Sequence, residues 1–433
     1  MTEILVGLIG IAFLILFIFM RFPIAFAMGI VGFVGFAYLN SLKTGLALVP
    51  RDLFEQFSSY SLSAITLFIL MGYYAFSARI GERIFDCAYK LLGGIRGGLA
   101  ISSIFASAIF GSICGSATAT AATIGKLTIP EMRRYKYDDE LSTGVLSSGG
   151  VLGILIPPSV IFLVYGILAE QSISKLFLSG ILPGIILAAL MSLAIFIICT
   201  IKPSLGPKGP SYAVKEKVKS ALNIFDVLLL FVCVIGGLLL GFFTPTQAGG
   251  VGAAGALVIG LIRREVTWSF FINSSREALR TACMIILIIA CATIFSHFIV
   301  LTTIPQLLAA WITSLNMPHW LVIVLILFIY LLGGCFLDAI PLIIITIPVF
   351  YPIVLNLGYD PIWFGVIIVC VASMGLISPP IGMNVYVIKG IADDVPMERI
   401  FKGVIPFLLS IFVLIALLMI FPKIPLLLPD LLE

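Results

Sequence analysis

Gly153-Ile154-Leu155-Ile156-Pro157-Pro158 recurs in the second half of the chain as Gly375-Leu376-Ile377-Ser378-Pro379-Pro380. Working outward, Tyr137-Asp138 stands before the first copy and Tyr359-Asp360 before the second, at the same offset. Thr128-Ile129-Pro130 is echoed by Thr346-Ile347-Pro348, and Gly180-Ile181-Leu182-Pro183 by Gly403-Val404-Ile405-Pro406. Matches kept in one order mark an internal repeat. Each Pro-Pro pair lies in an apolar run. There it removes two backbone donors and clashes with the preceding turn. Carbonyls are freed before the break, and a helix N-terminus with partial positive charge starts after it. Freed carbonyls suit a cation such as Na⁺, and helix N-termini attract an anion. A single proline in a membrane helix reads as a kink. A glycine-led pair in both halves reads as a paired discontinuous helix of the kind found in secondary transporters.

The surroundings are a membrane chain. Hydrophobic residues make up 61% and charged residues 11%, against about 25% charged in soluble domains. The mean hydropathy is +1.22. Runs such as Ile4 to Met20 and Val227 to Phe243 do not alternate, so helices rather than barrel strands satisfy the backbone in lipid. Ile4 to Met20 lacks a basic start and a small-residue cleavage site, and reads as a retained helix. The eight cysteines have no metal-type spacing. No Gly-Lys-Ser or Gly-Lys-Thr loop is present, which argues against ATP hydrolysis. No nucleophile–base pair suggests an enzyme, and nothing points to nucleic acid.

Basic clusters set the topology. Arg79 to Arg96, Arg133 to Lys136, Lys202 to Lys219 and Arg263 to Arg276 are placed in the cytoplasm, as are Arg21, Lys389, Arg399 and Lys402. Both termini are then periplasmic. Only Lys43, Arg51, Lys175 and Lys423 face outside. The stretch from Gly97 to Arg134 has basic flanks and a small, polar middle, Gly111 to Thr118. Such residues at membrane depth line a cavity or are buried in protein, so this reads as a re-entrant hairpin rather than a helix contact. The expected fold is all-α and polytopic, with two inverted-topology repeats and an elevator-type plan. The first repeat spans 1–200, with a cytoplasmic hairpin about 97–134 and a broken helix about 140–169. A basic linker covers 201–221. The second repeat spans 222–433, with a periplasmic hairpin about 319–357 and a broken helix about 361–391.

Two Na⁺ sites are expected, mostly of backbone. The first involves Ser112, Gly115, Gly153 and Ile156; the second involves Gly333, Gly334, Asp338, Gly375 and Ser378. Asp338 fits two roles, ligating Na⁺ or capping the outgoing arm. Substrate is expected at Ser116, Thr118, Ser159 and Asn384 and at the helix starts after Pro158 and Pro380. Lys126 reads as a snorkelling cation. His297 and His319 read as structural, which favours Na⁺ over H⁺.

These residues resemble the large membrane subunit of tripartite ATP-independent periplasmic (TRAP) transporters along essentially the whole chain. The most specific stretches are Phe110 to Ala119, Gly153 to Ser159, Gly375 to Gly382 and Phe243 to Ala248. An acidic residue is usual in the family where Gln247 stands. The resemblance implies Na⁺-coupled uptake of a small organic acid by an elevator-type carrier in a bacterial inner membrane. It also implies a small membrane subunit, expected to be a separate chain, and a periplasmic substrate-binding protein. A stand-alone divalent-anion/Na⁺ symporter is the alternative.

Overall fold

The computed structural model describes residues 3–20, 22–308 and 317–432; Arg21, expected at a cytoplasmic helix end, lies outside them. Among the described residues the secondary structure is helical throughout, with no strand. Six helices are long and apolar enough to cross a bilayer, or up to eight if each bent pair is one span. Helices close their own backbone bonds, which lipid requires.

The first half begins with α1 (Glu3–Phe19), α2 (Ile24–Leu39), α3 (Leu42–Ser58), α4 (Tyr60–Ser77) and α5 (Ile80–Leu92). A turn-joined pair follows, α6 (Gly98–Cys114) and α7 (Ala117–Arg134). Then come α8 (Asp139–Gly149), α9 (Leu152–Leu155), α10 (Val160–Leu168) and α11 (Ile173–Ile201). The axis bends by 42° between α9 and α10. The second half holds α12 (Val214–Asn223), α13 (Phe225–Leu239), α14 (Pro245–Ile262) and α15 (Trp268–Leu301). Its turn-joined pair is α16 (His319–Gly334) and α17 (Ala339–Asn356). Last come α18 (Pro361–Gly375), α19 (Met383–Lys389), α20 (Met397–Ile420) and α21 (Lys423–Leu432).

Two groups of helices form. In one, α4 packs on α14 and α15, α2 packs on α15, α1 on α2, and α13 on α14. In the other, α6 packs on α8 and α9, α16 on α18, and α20 on α8. Glycines permit the closest contacts. A Cβ on Gly32 would lie 2.7 Å from Phe295 Cα, so α2 meets the α15 backbone directly. Buried hydroxyls in the arm α6 find backbone carbonyls: Ser102 Oγ donates to Gly98 O at 2.6 Å, with Ala88 O of α5 at 3.0 Å, and Ser103 Oγ donates to Leu99 O at 2.9 Å.

Two amphipathic helices stand where the hydropathy pattern shows no span. One is α3, capped by Ser41, which accepts from Thr44 N at 3.2 Å. It buries Asp52, whose Oδ2 lies 3.3 Å from His297 Nε2 on α15. The alignment there is not that of a hydrogen bond. The other is α12, which begins within the basic segment expected as a linker and runs two residues past its end.

Candidate functional site

Each hairpin meets its broken helix through a pair of glycines. A Cβ on Gly111 would overlap Gly153 Cα, and one on Gly153 would lie 3.1 Å from Gly111 Cα. In the second half, a Cβ on Gly375 would lie 2.5 Å from Gly334 Cα. Only glycine allows these backbones to approach so closely. Gly333 is turned elsewhere, towards Leu342 of its own hairpin.

The tips are built alike and carry different chemistry. Ser116 starts α7, with its Oγ accepting from Ala119 N at 3.4 Å. Its carbonyl accepts Thr120 Oγ1 at 2.7 Å and faces Gly153. Gly115 adopts φ +64° and sits against Pro158 O. Ser112 Oγ donates back to Ile109 O at 2.7 Å. Asp338 starts α17, where its Oδ1 accepts from Ala339 N at 2.7 Å.

A cavity of about 520 Å³ lies between these tips and the first helix group. Its tip side includes Ser116, Thr118 and Asp338, with Pro341 and Leu376 beside them. The capping and ligand roles of Asp338 are therefore compatible, because the capping residue also lines the cavity. Opposite, Tyr73 of α4 and Thr281 of α15 line the wall, their hydroxyls 3.1 Å apart. Gly72 brings α4 onto the first tip, where a Cβ would lie 2.7 Å from Cys114 O. Among the described residues, no Lys, Arg or His lines this cavity. Tyr73, Thr281 and Gly72 escaped the sequence reading, because nothing local in α4 or α15 signals a partner so distant in sequence.

Gly115 lines the cavity as well, and the other expected residues lie off it. Ser159 is buried and caps α10, and its hydroxyl donates to Ile154 O at 2.6 Å. Ile156, at the end of α9, presses its side chain on Gly184. Pro158 is buried, whereas Pro380 is exposed. Ser378 Oγ donates to Met374 O at 2.8 Å, so that carbonyl before the second break is engaged. Asn384 is fully buried, and its Nδ2 donates to Ser147 O at 3.0 Å across the two halves, while its Oδ1 has no partner. Lys126 is exposed on α7. Gln247 completes a capping box: its Oε1 accepts from Thr244 N at 2.9 Å. Glutamine and glutamate serve equally there, which accounts for the neutral residue at that position.

Helices of this order around a cavity walled by two hairpins define a membrane transporter. The fold is similar to the crystal structure of the Alcanivorax borkumensis YdaH transporter, with a TM-score of 0.62 over 87% of this chain and 88% of that one. At 13% identity that likeness is one of fold alone. Sequence is more specific. The family model for the tripartite ATP-independent periplasmic transporter, DctM component, matches residues 11–424. The chain is 34% identical to the C4-dicarboxylate TRAP transporter large permease protein DctM of Pseudomonas aeruginosa, covering 87% of this chain and 88% of that protein. It is 32% identical to the sialic acid TRAP transporter large permease protein SiaM of Vibrio cholerae, over 96% of both. The chain belongs to the DctM family of TRAP transporter large permeases; it is a transporter and not an enzyme.

Proposed function

We propose that this permease takes up a small organic acid by Na⁺ symport, with substrate delivered by a periplasmic binding protein. A small membrane subunit completes the complex, as the family's tripartite name implies. Relatives named for C4-dicarboxylates and sialic acid support a carboxylate as the cargo. The complex sits in the inner membrane of a bacterium, with both ends of this chain on the periplasmic side. The helix group of α2, α4, α14 and α15 serves as scaffold. Hairpins and broken helices move against it as an elevator, and the two halves are inverted copies.

One observation carries this reading. The cavity brings both hairpin tips together, yet among the described residues no cationic side chain lines it and Asp338 adds a carboxyl group, negative when ionised. A carboxylate entering such a place needs compensation, because burying an unpaired charge is costly. Helix starts offer about 0.3–1 kcal/mol each when exposed and up to about 2 kcal/mol when partly buried. Asp338 opposes them. A cation at each tip, held by backbone oxygens near Ser116 and Gly153 and by Asp338 near Gly334 and Gly375, reverses the sign of the local field. Ion and substrate then bind together.

The experiment is uptake into proteoliposomes that hold the permease and its small subunit, with loaded binding protein outside. Replacing external Na⁺ by choline at fixed pH and voltage is expected to stop uptake. Unchanged uptake would reject Na⁺ coupling.

A further inference from the structure

Helix α12 is short and charged, yet its apolar residues face outward. Val214, Val218 and Leu222, spaced i, i+4 and i+8, share one face and are 76%, 54% and 66% exposed. By helical spacing, Lys215 and Lys219 flank that stripe on one side and Lys217 on the other. The inner side is polar and pinned to α5. Ser220 is buried, and its hydroxyl donates to Asp86 Oδ2 at 2.9 Å, an oxygen that also accepts Lys90 Nζ at 2.7 Å. A soluble surface helix buries its apolar stripe; here the stripe is shown and the polar side is covered. Phe225, Ile262 and Trp268, at the ends of α13, α14 and α15, are exposed as well.

The charge at this rim is unbalanced. Asp226 Oδ2 receives Arg83 Nη1 at 2.9 Å and Arg263 Nη2 at 3.1 Å, so two guanidinium groups share one carboxylate oxygen. Arg263 Nη2 also donates to Asn223 O at 3.4 Å, which sets the end of α14 against the end of α12. Nearby carboxylates are engaged: Glu216 accepts from Ala213 N at 3.2 Å, and Glu82 lies 3.9 Å from Arg79. Glu265 buries one oxygen without a partner. Among the described residues, Lys215, Lys219 and Arg264 make no ion pair.

We propose that α12 and the adjoining helix ends form a binding surface for anionic phospholipids. The acyl chains cover Val214, Val218 and Leu222, and the phosphates meet Lys215, Lys219 and Arg264. A free phosphate answers the charges but leaves the stripe in water, whereas a lipid answers both. Because α12 is pinned to α5, and α5 packs on the hairpin arm α6, the lipid steadies the root of the first hairpin.

The test uses the purified full-length protein in phosphatidylcholine nanodiscs, with phosphatidylglycerol titrated in and Tm read. Phosphatidylglycerol is expected to raise Tm, and inorganic phosphate added to pure phosphatidylcholine discs is not. The variant K215Q/K219Q/R264Q is expected to keep its Tm in phosphatidylcholine. Its apparent preference for phosphatidylglycerol falls about fivefold per residue removed, the equivalent of ~1 kcal/mol for each basic residue at a membrane surface. The variant V218S/L222S, with every charge intact, loses preference too. A wild-type lipid response in the triple variant, or the same gain from inorganic phosphate, would overturn the proposal.

Discussion

Around the first break, Pro157, Pro158 and Ser159 are buried, with Gly115 of the hairpin tip against Pro158 O. Around the second, Pro379 and Pro380 are exposed, and the tip carries Asp338 in place of a serine. One backbone plan thus serves two chemistries. The first tip offers an ion only carbonyls and hydroxyls, beside a buried proline pair. The second adds the carboxyl group of Asp338, beside an exposed proline pair. The comparison teaches that the two ion positions should differ in strength and in exchange, despite the repeat.

The largest effect should separate the two caps. Asp338→Asn keeps the shape and removes the charge. With the proposed Na⁺ at Asp338, the loss is that of one partner of a buried ion pair, about 3–5 kcal/mol, so proteoliposome uptake should fall by roughly a hundredfold or more. Ser116→Ala removes a helix cap, about 1 kcal/mol, and one uncharged cavity hydroxyl, and should cost several-fold at most. Equal losses would erase the distinction between the tips.

Next come the glycine contacts, where overpacking costs about 1–3 kcal/mol. In Gly375→Ala the new methyl meets the backbone of Gly334, which cannot turn aside. In Gly153→Ala the nearest atom is Thr120 Oγ1, 2.6 Å away and part of a side chain. Gly375→Ala should therefore lower Tm and uptake more. Adding Thr120→Ala should rescue Gly153→Ala in part. No rescue would mean that Gly111 and Ser116 O, not Thr120, set the limit.

Asn384→Ala should come third. It deletes the amide that crosses from the second half to Ser147 O, a buried bond whose loss costs about 1–3 kcal/mol. Thermal unfolding checks it, and a Tm unchanged from wild type would show that the bond adds nothing.

The smallest effect concerns an exposed clasp between the halves, Arg133 Nη2 to Asp394 Oδ2 at 2.8 Å. The Arg133 guanidinium holds the Asp394 carboxyl below its ordinary 3.8. A depressed carboxyl contributes stability above its unfolded pKa and loses it as pH falls through the folded value. The small Tm difference between wild type and Asp394→Asn should therefore be constant from about pH 5 to 8 and vanish only below the ordinary carboxylate range. A difference that changes around neutral pH would point to another group.

Much of this plan was legible before any coordinates. Glycine followed by two prolines writes a helix break into the chain directly, and a lone Asp338 in an apolar run stands out. Harder features depend on distance in sequence. Asn384 meets Ser147, and Tyr73 meets Thr281, only after both halves fold. Helices α3 and α12 lack a long apolar run, so hydropathy passes over them. The place of Ser159 after the break is plain in the sequence, whereas its hydrogen bond to Ile154 O appears only in the fold. Gln247 seemed a departure until Thr244 N gave it a partner.

The central claim is that sodium, not a side-chain cation, compensates the substrate's charge. Substrate affinity of the purified permease complex, measured by calorimetry with Na⁺ and with choline, tests it most directly. The account predicts tighter binding with Na⁺ by about 5- to 150-fold, the range of a 1–3 kcal/mol coupling, and no change in that ratio in Lys126→Gln. Equal affinity in both salts, or binding lost only when Lys126 is replaced, would contradict it.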